Sequence, residues 1–108
     1  MKPELLKRIS KKLNESKANL TSLVVRDAIM AGWPIDIARS LSINVVGADL
    51  EITYPPKVAA AVDELEYGTR ALSPMSVLRL FKKRHAEDID KIIAGAMSEY
   101  FLSEGPLL

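Results

Sequence analysis

The chain contains no cysteine among its 108 residues and only one histidine. The missing cysteine excludes a disulfide framework, a thiolate nucleophile and a Cys-ligated zinc site, and it fits a cytosolic or assembly setting better than a small secreted scaffold. The histidine, His85, has no second ligand at metal-binding spacing, and the sequence has neither a Gly-rich phosphate loop nor a nucleophile elbow around any serine. We therefore expect no enzyme, no metal and no cofactor.

Net charge and long hydrophobic runs are also scarce. The formal charge is +1, from fifteen Lys and Arg against fourteen Asp and Glu, so no global field attracts nucleic acid or an anionic membrane. The longest uncharged run, 40–48, is far shorter than the ~18 apolar residues of a membrane-spanning helix. The opening Met1-Lys2-Pro3 does not resemble a signal peptide. These features predict a soluble protein without a membrane partner.

What is present is the composition of a folded domain. Hydrophobic residues make up 48% and charged residues 27%, which is outside the range of disordered or collagen-like chains. A chain of this length buries about two thirds of the surface that the unfolded chain exposes. We expect a single domain over residues 1–108.

The N-terminal third of the chain has the spacing of one helix face. Apolar residues at steps of three and four predict a long helix from Pro3 to about Met30, which Gly32 ends. The pattern favours one continuous helix, although the polar residues between Leu13 and Leu20 allow a break.

Two short segments with alternating apolar residues, 41–45 and 50–54, flank Gly47-Ala48-Asp49 and predict a β-hairpin or small antiparallel sheet. Two strands alone are marginal in water, so the hairpin has to cover a helix or pair with another strand, including one from another subunit. Apolar residues from Val58 to Leu65 then predict a short helix that closes near Gly68.

A long C-terminal helix is predicted last. Ser73-Pro74 has the composition of a helix start, the apolar stripe continues to about Leu102, and Gly105-Pro106 follows as a stop. The segment 69–72 is expected to be a loop or a brief third strand. The order of elements is an α+β pattern.

Each long helix would span about 40 Å, whereas a compact chain of this size has a radius of gyration near 13 Å. The helix ends should therefore overhang, and apolar residues such as Leu5, Leu6, Tyr100 and Phe101 should be exposed to a partner.

Charges of opposite sign are segregated along the chain. Residues 1–17 hold six basic residues against two acidic ones, and residues 49–66 hold five acidic residues against one lysine. The basic segment fits a solvated face, a nucleic-acid face or one half of a head-to-tail contact between copies, and the acidic segment fits a solvated helix face or an interface. The candidate interface residues are Lys7, Arg8, Lys11, Lys12, Asp63, Glu64 and Glu66.

The sequence predicts the position or backbone conformation of three further residues. His85 lies in the apolar stripe of the last helix, which favours a packed or interface histidine over a general base, a ligand or a pH-sensitive contact. Tyr67 is expected in the core. Gly68 is expected to take a positive φ as the cap of the short helix, so asparagine, which tolerates the left-handed region, should be its least costly replacement.

The sequence Leu65-Glu66-Tyr67-Gly68-Thr69 carries a resemblance to a known family. Together with the order of the predicted elements, it resembles the tail-completion or head-tail joining (neck) family of long-tailed bacteriophages. The element order covers most of the chain, the motif proper is Glu66 to Thr69, and weaker echoes lie in 33–36 and 40–43. Ile37-Ala38 and Met75-Ser76 depart from the family pattern, which usually has Thr-Gly and an aromatic residue there.

The resemblance implies a structural virion protein, assembled in the host bacterial cytoplasm, that forms a ring of six at the head-proximal end of the tail. The implied partners are copies of itself, the tail-tube proteins and the head-tail connector proteins, and DNA would pass through the lumen without sequence-specific contact. Tail terminator, joining protein and minor tail component all remain open. The residues also leave open a small DNA-binding protein that uses the basic N-terminal helix, and a partner-binding protein of regulatory or toxin-antitoxin type.

Overall fold

The computed structural model describes residues 2–104 and has the predicted α+β architecture, with long helical segments at both ends and one two-stranded antiparallel sheet. A single 3₁₀ turn, Pro56–Val58, precedes the fourth helix. The predicted stop at Gly105-Pro106 lies outside the described residues. In chain order the elements are α1 Pro3–Glu15, α2 Lys17–Ala31, α3 Ile35–Arg39, β1 Ser42–Val46, β2 Asp49–Thr53, α4 Ala59–Tyr67, α5 Leu78–Arg84 and α6 Ala86–Glu104.

The N-terminal helix is interrupted at Ser16, so the expectation of one continuous helix is wrong. Ser16 has φ −92° and ψ 0°, and its amide is shared between the carbonyls of Lys12 and Leu13 at 3.1 Å each. The interruption falls in the polar stretch whose side chains compete for helical hydrogen bonds. The predicted stop is confirmed, because α2 ends at Gly32 in the left-handed conformation with φ 101°.

The last helical segment begins later than predicted and is also divided. Residues 73–77 are irregular, and α5 starts at Leu78 rather than at Ser73-Pro74. A buried carboxylate accepts hydrogen bonds from the amides at 77–79, which fixes the helix start there. His85, with φ −109° and ψ 20°, separates α5 from α6. Residues 69–72 form a loop and no third strand.

The hairpin closes with the two-residue loop Gly47-Ala48. Gly47 has φ 61°, and a positive φ at the first loop position alone has the signs of a type II′ turn, whose twist suits a hairpin. Ile43 and Leu50 are buried, and the Ile43 amide donates to the Thr21 hydroxyl at 3.1 Å. The hairpin therefore covers the N-terminal helices. This is the first of the two predicted arrangements, in which the hairpin covers a helix or pairs with another strand.

The core runs along a long, narrow molecule. The extents are 61 × 24 × 20 Å and the radius of gyration is 16.7 Å, against about 13 Å for a compact chain of this length. Leu6 and Phe101 are exposed as expected, Leu5 is partly buried, and Tyr100 is buried against expectation. The buried residues that form one hydrophobic core cluster are Ile9, Leu13, Leu20, Val24, Ala28, Trp33, Ala38, Leu41, Ile43, Leu50, Val62, Leu65, Val77, Phe81 and Ala96.

Specific polar contacts define two ends of the molecule. His85 bonds to Asp27 and Glu99 bonds to Lys12, so α6 runs opposite to α1 and α2. The Trp33 indole donates to the Met75 carbonyl at 2.7 Å, and the Met75 amide donates to the Leu65 carbonyl at 2.8 Å. These bonds place α4 beside the C-terminal end of α2. We call this the α4 end, and we call the opposite end, with α1 and the last turns of α6, the α1 end.

Candidate functional site

The four motif residues, Glu66 to Thr69, lie where α4 ends and the irregular segment 68–77 begins. Their side chains and backbone make most of the contacts that hold this segment between α4 and α5. The arrangement is a loop anchor, and each of the four positions has a separate part in it.

Glu66 is the centre of the loop anchor. Its side chain is 1% exposed, and Oε1 accepts hydrogen bonds from the amides of Val77 at 2.7 Å and Leu78 at 2.8 Å. Oε2 accepts from the Arg79 amide at 3.1 Å and from Arg79 Nε at 2.9 Å. The carboxylate thus caps the N-terminus of α5, where negative charge is favoured. The expectation that Glu66 lies on a solvated face or an interface is wrong, because the side chain is buried and hydrogen-bonded to residues of the same chain.

The Glu66 carboxyl is held as the carboxylate. Burial acts to raise its pKa, but the Val77 amide, the Arg79 guanidinium, and the Leu78 and Arg79 amides outweigh burial and hold the pKa below its ordinary value. A buried acid that is ionised and fully hydrogen-bonded is a structural group, not a proton donor.

Tyr67 lies on the surface, so its expected place in the core is wrong. The Arg79 guanidinium lies 4.4 Å from the centroid of its ring, a cation–π contact. Arg79 Nη2 also donates to the Glu66 carbonyl at 3.1 Å and to the Ser76 hydroxyl at 2.6 Å. Arg79 therefore links the motif to the first turn of α5.

Gly68 has the expected positive φ, but not the expected conformation. Its φ of 79° and ψ of 178° lie in a region that is essentially open to glycine alone, away from the left-handed helical region that asparagine tolerates. A Cβ atom here would lie 2.7 Å from the Leu72 carbonyl oxygen and 2.8 Å from the Pro74 nitrogen. The glycine is required by the backbone angles and by the close approach of the returning chain.

Thr69 closes the loop. Its hydroxyl accepts hydrogen bonds from the amides of Ala71 at 3.2 Å and Leu72 at 3.1 Å, and its amide donates to the Leu72 carbonyl at 2.8 Å. A hydroxyl that binds nearby amides in this way stabilises a turn.

The basic candidate residues lie on α1 at the α1 end. Lys7 and Lys11 are exposed and Arg8 is partly exposed, and no ion pair among the described residues involves these three. Lys12 differs, because its Nζ lies 2.8 Å from Glu99 and 3.7 Å from Glu15. The hydrogen bond with Glu99 raises the pKa of Lys12. Lys12 therefore joins α1 to α6. Lys7, Arg8 and Lys11 form the open basic face.

The acidic candidate residues Asp63 and Glu64 are exposed on α4, and no ion pair within residues 2–104 involves them. They lie at the α4 end. The 15 residues of α2, about 22 Å long, separate this end from α1. The two faces are thus held apart within one chain.

A second polar cluster, which the sequence did not reveal, joins His85 to Asp27. His85 Nε2 lies 2.6 Å from Asp27 Oδ2, and the two side chains are 8% and 5% exposed. The His85 ring packs against Phe81 with a centroid separation of 4.8 Å, so the expectation of a packed histidine is confirmed. Its partner lies 58 residues away along the chain, and no local pattern signals it.

The Asp27–His85 pair forms one wall of a surface cleft of about 670 Å³. Arg26 and Arg84 flank it, with guanidinium nitrogens 4.0 and 3.9 Å from the Asp27 carboxylate. A carboxylate that orients an imidazole is part of several hydrolytic sites, but the cleft lining, within the described chain, supplies no hydroxyl or thiol nucleophile. No group of three or more potential metal ligands occurs among residues 2–104.

Comparison with protein-family models, with curated proteins and with solved structures gave no match to this chain. Over the part of the chain that the structure describes, no helix is both long enough and apolar enough to cross a membrane.

Proposed function

We propose that this chain is a structural subunit of a tailed-bacteriophage virion that assembles, by head-to-tail contacts between copies, into a ring at the head-proximal end of the tail. The observation that carries the proposal is the placement of opposite charges at opposite ends of an elongated subunit. Tail-tube and connector proteins are the further partners, and DNA passes through the ring without sequence-specific contact. The sixfold size comes from the family resemblance.

The physical argument concerns the two charged faces. A heterologous contact needs two different, complementary surfaces on each subunit, so that every copy offers one and accepts the other. The basic face of α1 and the acidic residues of α4 meet this requirement, and α2 keeps them from pairing within a chain. Exposed charges of this kind contribute little to stability but orient partners and select among them.

The loop anchor supports a structural function. Glu66, Gly68 and Thr69 are all used to fix the segment between α4 and α5, as expected of a motif with a structural part. The same contacts hold α4, and so Asp63 and Glu64, in a fixed position relative to α5. A preformed surface loses less conformational entropy on assembly.

Paired charge reversals test the proposal. The Lys7→Glu/Lys11→Glu variant and the Asp63→Lys/Glu64→Lys variant should each lose assembly in native mass measurement, because like charges then face one another. A chain that carries all four substitutions should assemble again, because complementarity is restored with the signs exchanged. The control is Lys83→Glu/Lys91→Glu, two exposed helical lysines that belong to neither charged face, which should assemble like the parent.

Three results would contradict the proposal. A parent chain that stays monomeric at high concentration and with tail components has no ring to form. Reversed variants that assemble normally would show that the charged faces are only solvated. Tight binding of free duplex DNA that falls steeply with salt and is lost in Lys7→Glu/Lys11→Glu would instead identify a DNA-binding protein.

A further inference from the structure

We propose that the cleft beside the Asp27–His85 pair is a binding site for a phosphate group, carried either by the free ion or by a small phosphate monoester. The cleft is separate from the loop anchor and from the charged faces of α1 and α4, and the inference does not depend on self-assembly. It rests on three side chains in the cleft lining that have hydrogen-bonding capacity left over.

His85 presents one free ring nitrogen to the cleft. Its Nε2 is taken up by Asp27 at 2.6 Å, whereas Nδ1 makes no hydrogen bond within residues 2–104. Every buried side-chain nitrogen and oxygen in this part of the chain has a hydrogen-bond partner, so Nδ1 is not buried and reaches solvent. The side chain as a whole is only 8% exposed, and the surface that it lines is the cleft. The free nitrogen therefore opens into the cleft from a buried ring.

Arg26 and Arg84 supply two guanidinium groups without a committed partner. The Asp27 oxygens lie 4.0 and 3.9 Å from their nearest nitrogens, beyond the about 2.7–3.2 Å of a hydrogen bond. No hydrogen bond among the described residues involves either group. Both groups thus keep their donors, and because both lie beside the same carboxylate, one ligand can meet the two.

The charges of the cleft favour an anion. Two guanidinium groups against one carboxylate leave a net charge of +1 with a neutral imidazole and +2 with a protonated one. The Asp27 side chain is 5% exposed and binds Nε2, so it orients the imidazole, as carboxylates behind ligating histidines do. Glu87 and Asp88, the acidic residues of the first turn of α6, do not line the cleft, and Glu87 lies 3.5 Å from Lys91.

The kinds of donor select phosphate among anions. The planar fork of an arginine matches two phosphate oxygens at once, and three donor groups suit a tetrahedral anion better than the two oxygens of a carboxylate. A phosphate monoester loses its second proton with a pKa of about 6. It can therefore share one proton with Nδ1 of His85. A protonated ring donates to a phosphate oxygen, and a neutral ring that donates from Nε2 to Asp27 accepts from the P–OH group.

The cleft also has room for an organic group on the phosphate. Its volume of about 670 Å³ lies within the range of small-molecule sites, about 300–1,000 Å³. Met30 and Ala31 supply an apolar part of the lining, and Met30 is 77% exposed.

Nuclear magnetic resonance tests the site directly, because His85 is the one histidine of the chain and its imidazole signals are free of overlap. Inorganic phosphate and phenyl phosphate are titrated separately into the parent chain, in a buffer without other oxyanions, and calorimetry measures the affinity. We expect saturable binding of one ligand per chain that shifts the His85 signals, with acetate at least several-fold weaker. Tighter binding of phenyl phosphate would identify an ester as the ligand, and tighter binding of inorganic phosphate would identify the free ion.

Paired arginine substitutions measure the contribution of the guanidinium groups. Arg26→Gln/Arg84→Gln should lower the affinity by at least about tenfold, because charge-assisted hydrogen bonds are lost. Both side chains are about half exposed, so the fold should be retained, which circular dichroism checks. The matched control is Arg39→Gln/Arg70→Gln, which removes the same charge from two exposed arginines outside the cleft lining and should bind like the parent.

A third variant tests the imidazole. His85→Gln keeps an amide that can donate to Asp27 and lacks a counterpart of Nδ1, so calorimetry should show weaker phosphate binding than in the parent. Several results would overturn the inference. They are no saturable binding at millimolar phosphate, binding that leaves the His85 signals unmoved, an equal loss of affinity in the control pair, unchanged affinity in His85→Gln, and acetate binding as tight as that of phosphate.

Discussion

Glu66 shows how one side chain organises a segment that it does not belong to. Four donors from three consecutive residues, Val77, Leu78 and Arg79, surround the two carboxylate oxygens. A buried charge is costly unless it is paired and hydrogen-bonded, and hydrogen bonds to charged groups are stronger than neutral ones. The carboxylate therefore stabilises the start of α5 and the return of the chain from Gly68.

The lowered pKa of Glu66 makes this contribution depend on pH. Above the ordinary glutamate pKa of about 4.3, the carboxyl is ionised in both states and the stabilisation is fully present. As the pH falls below that value, the unfolded chain takes up a proton that the native Glu66 resists, so the free energy of unfolding decreases until the pH passes the native pKa. We expect Glu66→Gln to be less stable than the parent by about 1–3 kcal/mol near pH 7, with the difference shrinking between about pH 4.3 and the native pKa.

Denaturant titrations at several pH values measure this difference. Glu64→Gln, an exposed position on the same helix, is the matched control and should follow the parent throughout. Parallel stability curves for the parent and Glu66→Gln would show that the Glu66 carboxylate contributes nothing that depends on its charge.

Substitutions at Gly68 test whether its backbone conformation requires glycine. Alanine, asparagine and valine should all destabilise the chain, by about 1–3 kcal/mol or more, because each brings a Cβ into a conformation essentially limited to glycine and close to the Leu72 carbonyl. Gly95→Ala is the control. Apart from its chain neighbours and the backbone of its own helix, no described atom lies within 4 Å of the Cβ it would add, and in mid-helix the change should stabilise by about 0.5–1 kcal/mol. The thermal unfolding midpoints of the four variants and the parent measure these differences in stability. An asparagine variant as stable as the parent would contradict the observed backbone angles.

At the scale of elements, the Asp27–His85 pair holds α2 against the junction of α5 and α6. Its short hydrogen bond is almost wholly buried, so the loss of either partner deprives the other buried side chain of this hydrogen bond. A double-mutant cycle with Asp27→Ala and His85→Ala should give a coupling energy of about 1–3 kcal/mol. The exposed Glu87–Lys91 pair on α6 is the comparison, and about 0.3–0.5 kcal/mol is expected for it. Equal couplings for the two pairs would show that burial does not strengthen the contact.

The elements that the sequence predicted well are those set by local chemistry. Gly32 ends α2 and Gly47 turns the hairpin because both positions need a positive φ, which the residue type signals. The short helix α3 was missed, since five residues after a proline carry little periodicity. The interruptions at Ser16 and His85 do not disturb the apolar spacing, so periodicity alone could not locate them.

The candidate site was predictable in position but not in detail. The sequence placed the motif residues at the end of the short helix, where the structure has them, and the charges of α1 and α4 were visible as clusters in the sequence. The burial of Glu66 was not, because its partners lie 11 to 13 residues further along the chain. The pairs Lys12–Glu99 and Asp27–His85 are longer-range still, and they remove residues that a list of charges would count as open.

For the whole molecule, the division of the helices does not make it compact. We expect small-angle scattering of the monomeric Lys7→Glu/Lys11→Glu variant to give a radius of gyration close to or slightly above 16.7 Å, because hydration adds to the protein term. A value near 13 Å, typical of a compact chain of this length, would show that the α1 end folds back onto the body and would remove the separation of charges on which the proposed assembly depends.

The one tryptophan of the chain, at the end of α2, contacts the irregular segment between α4 and α5. Trp33 is 3% exposed, and its indole reaches the Met75 carbonyl inside the irregular segment. Indole emission moves to longer wavelengths when polar solvent reaches the ring. The protein thus has an intrinsic optical reporter of whether the segment between α4 and α5 is seated, and that signal can be followed separately from the helical content seen in circular dichroism.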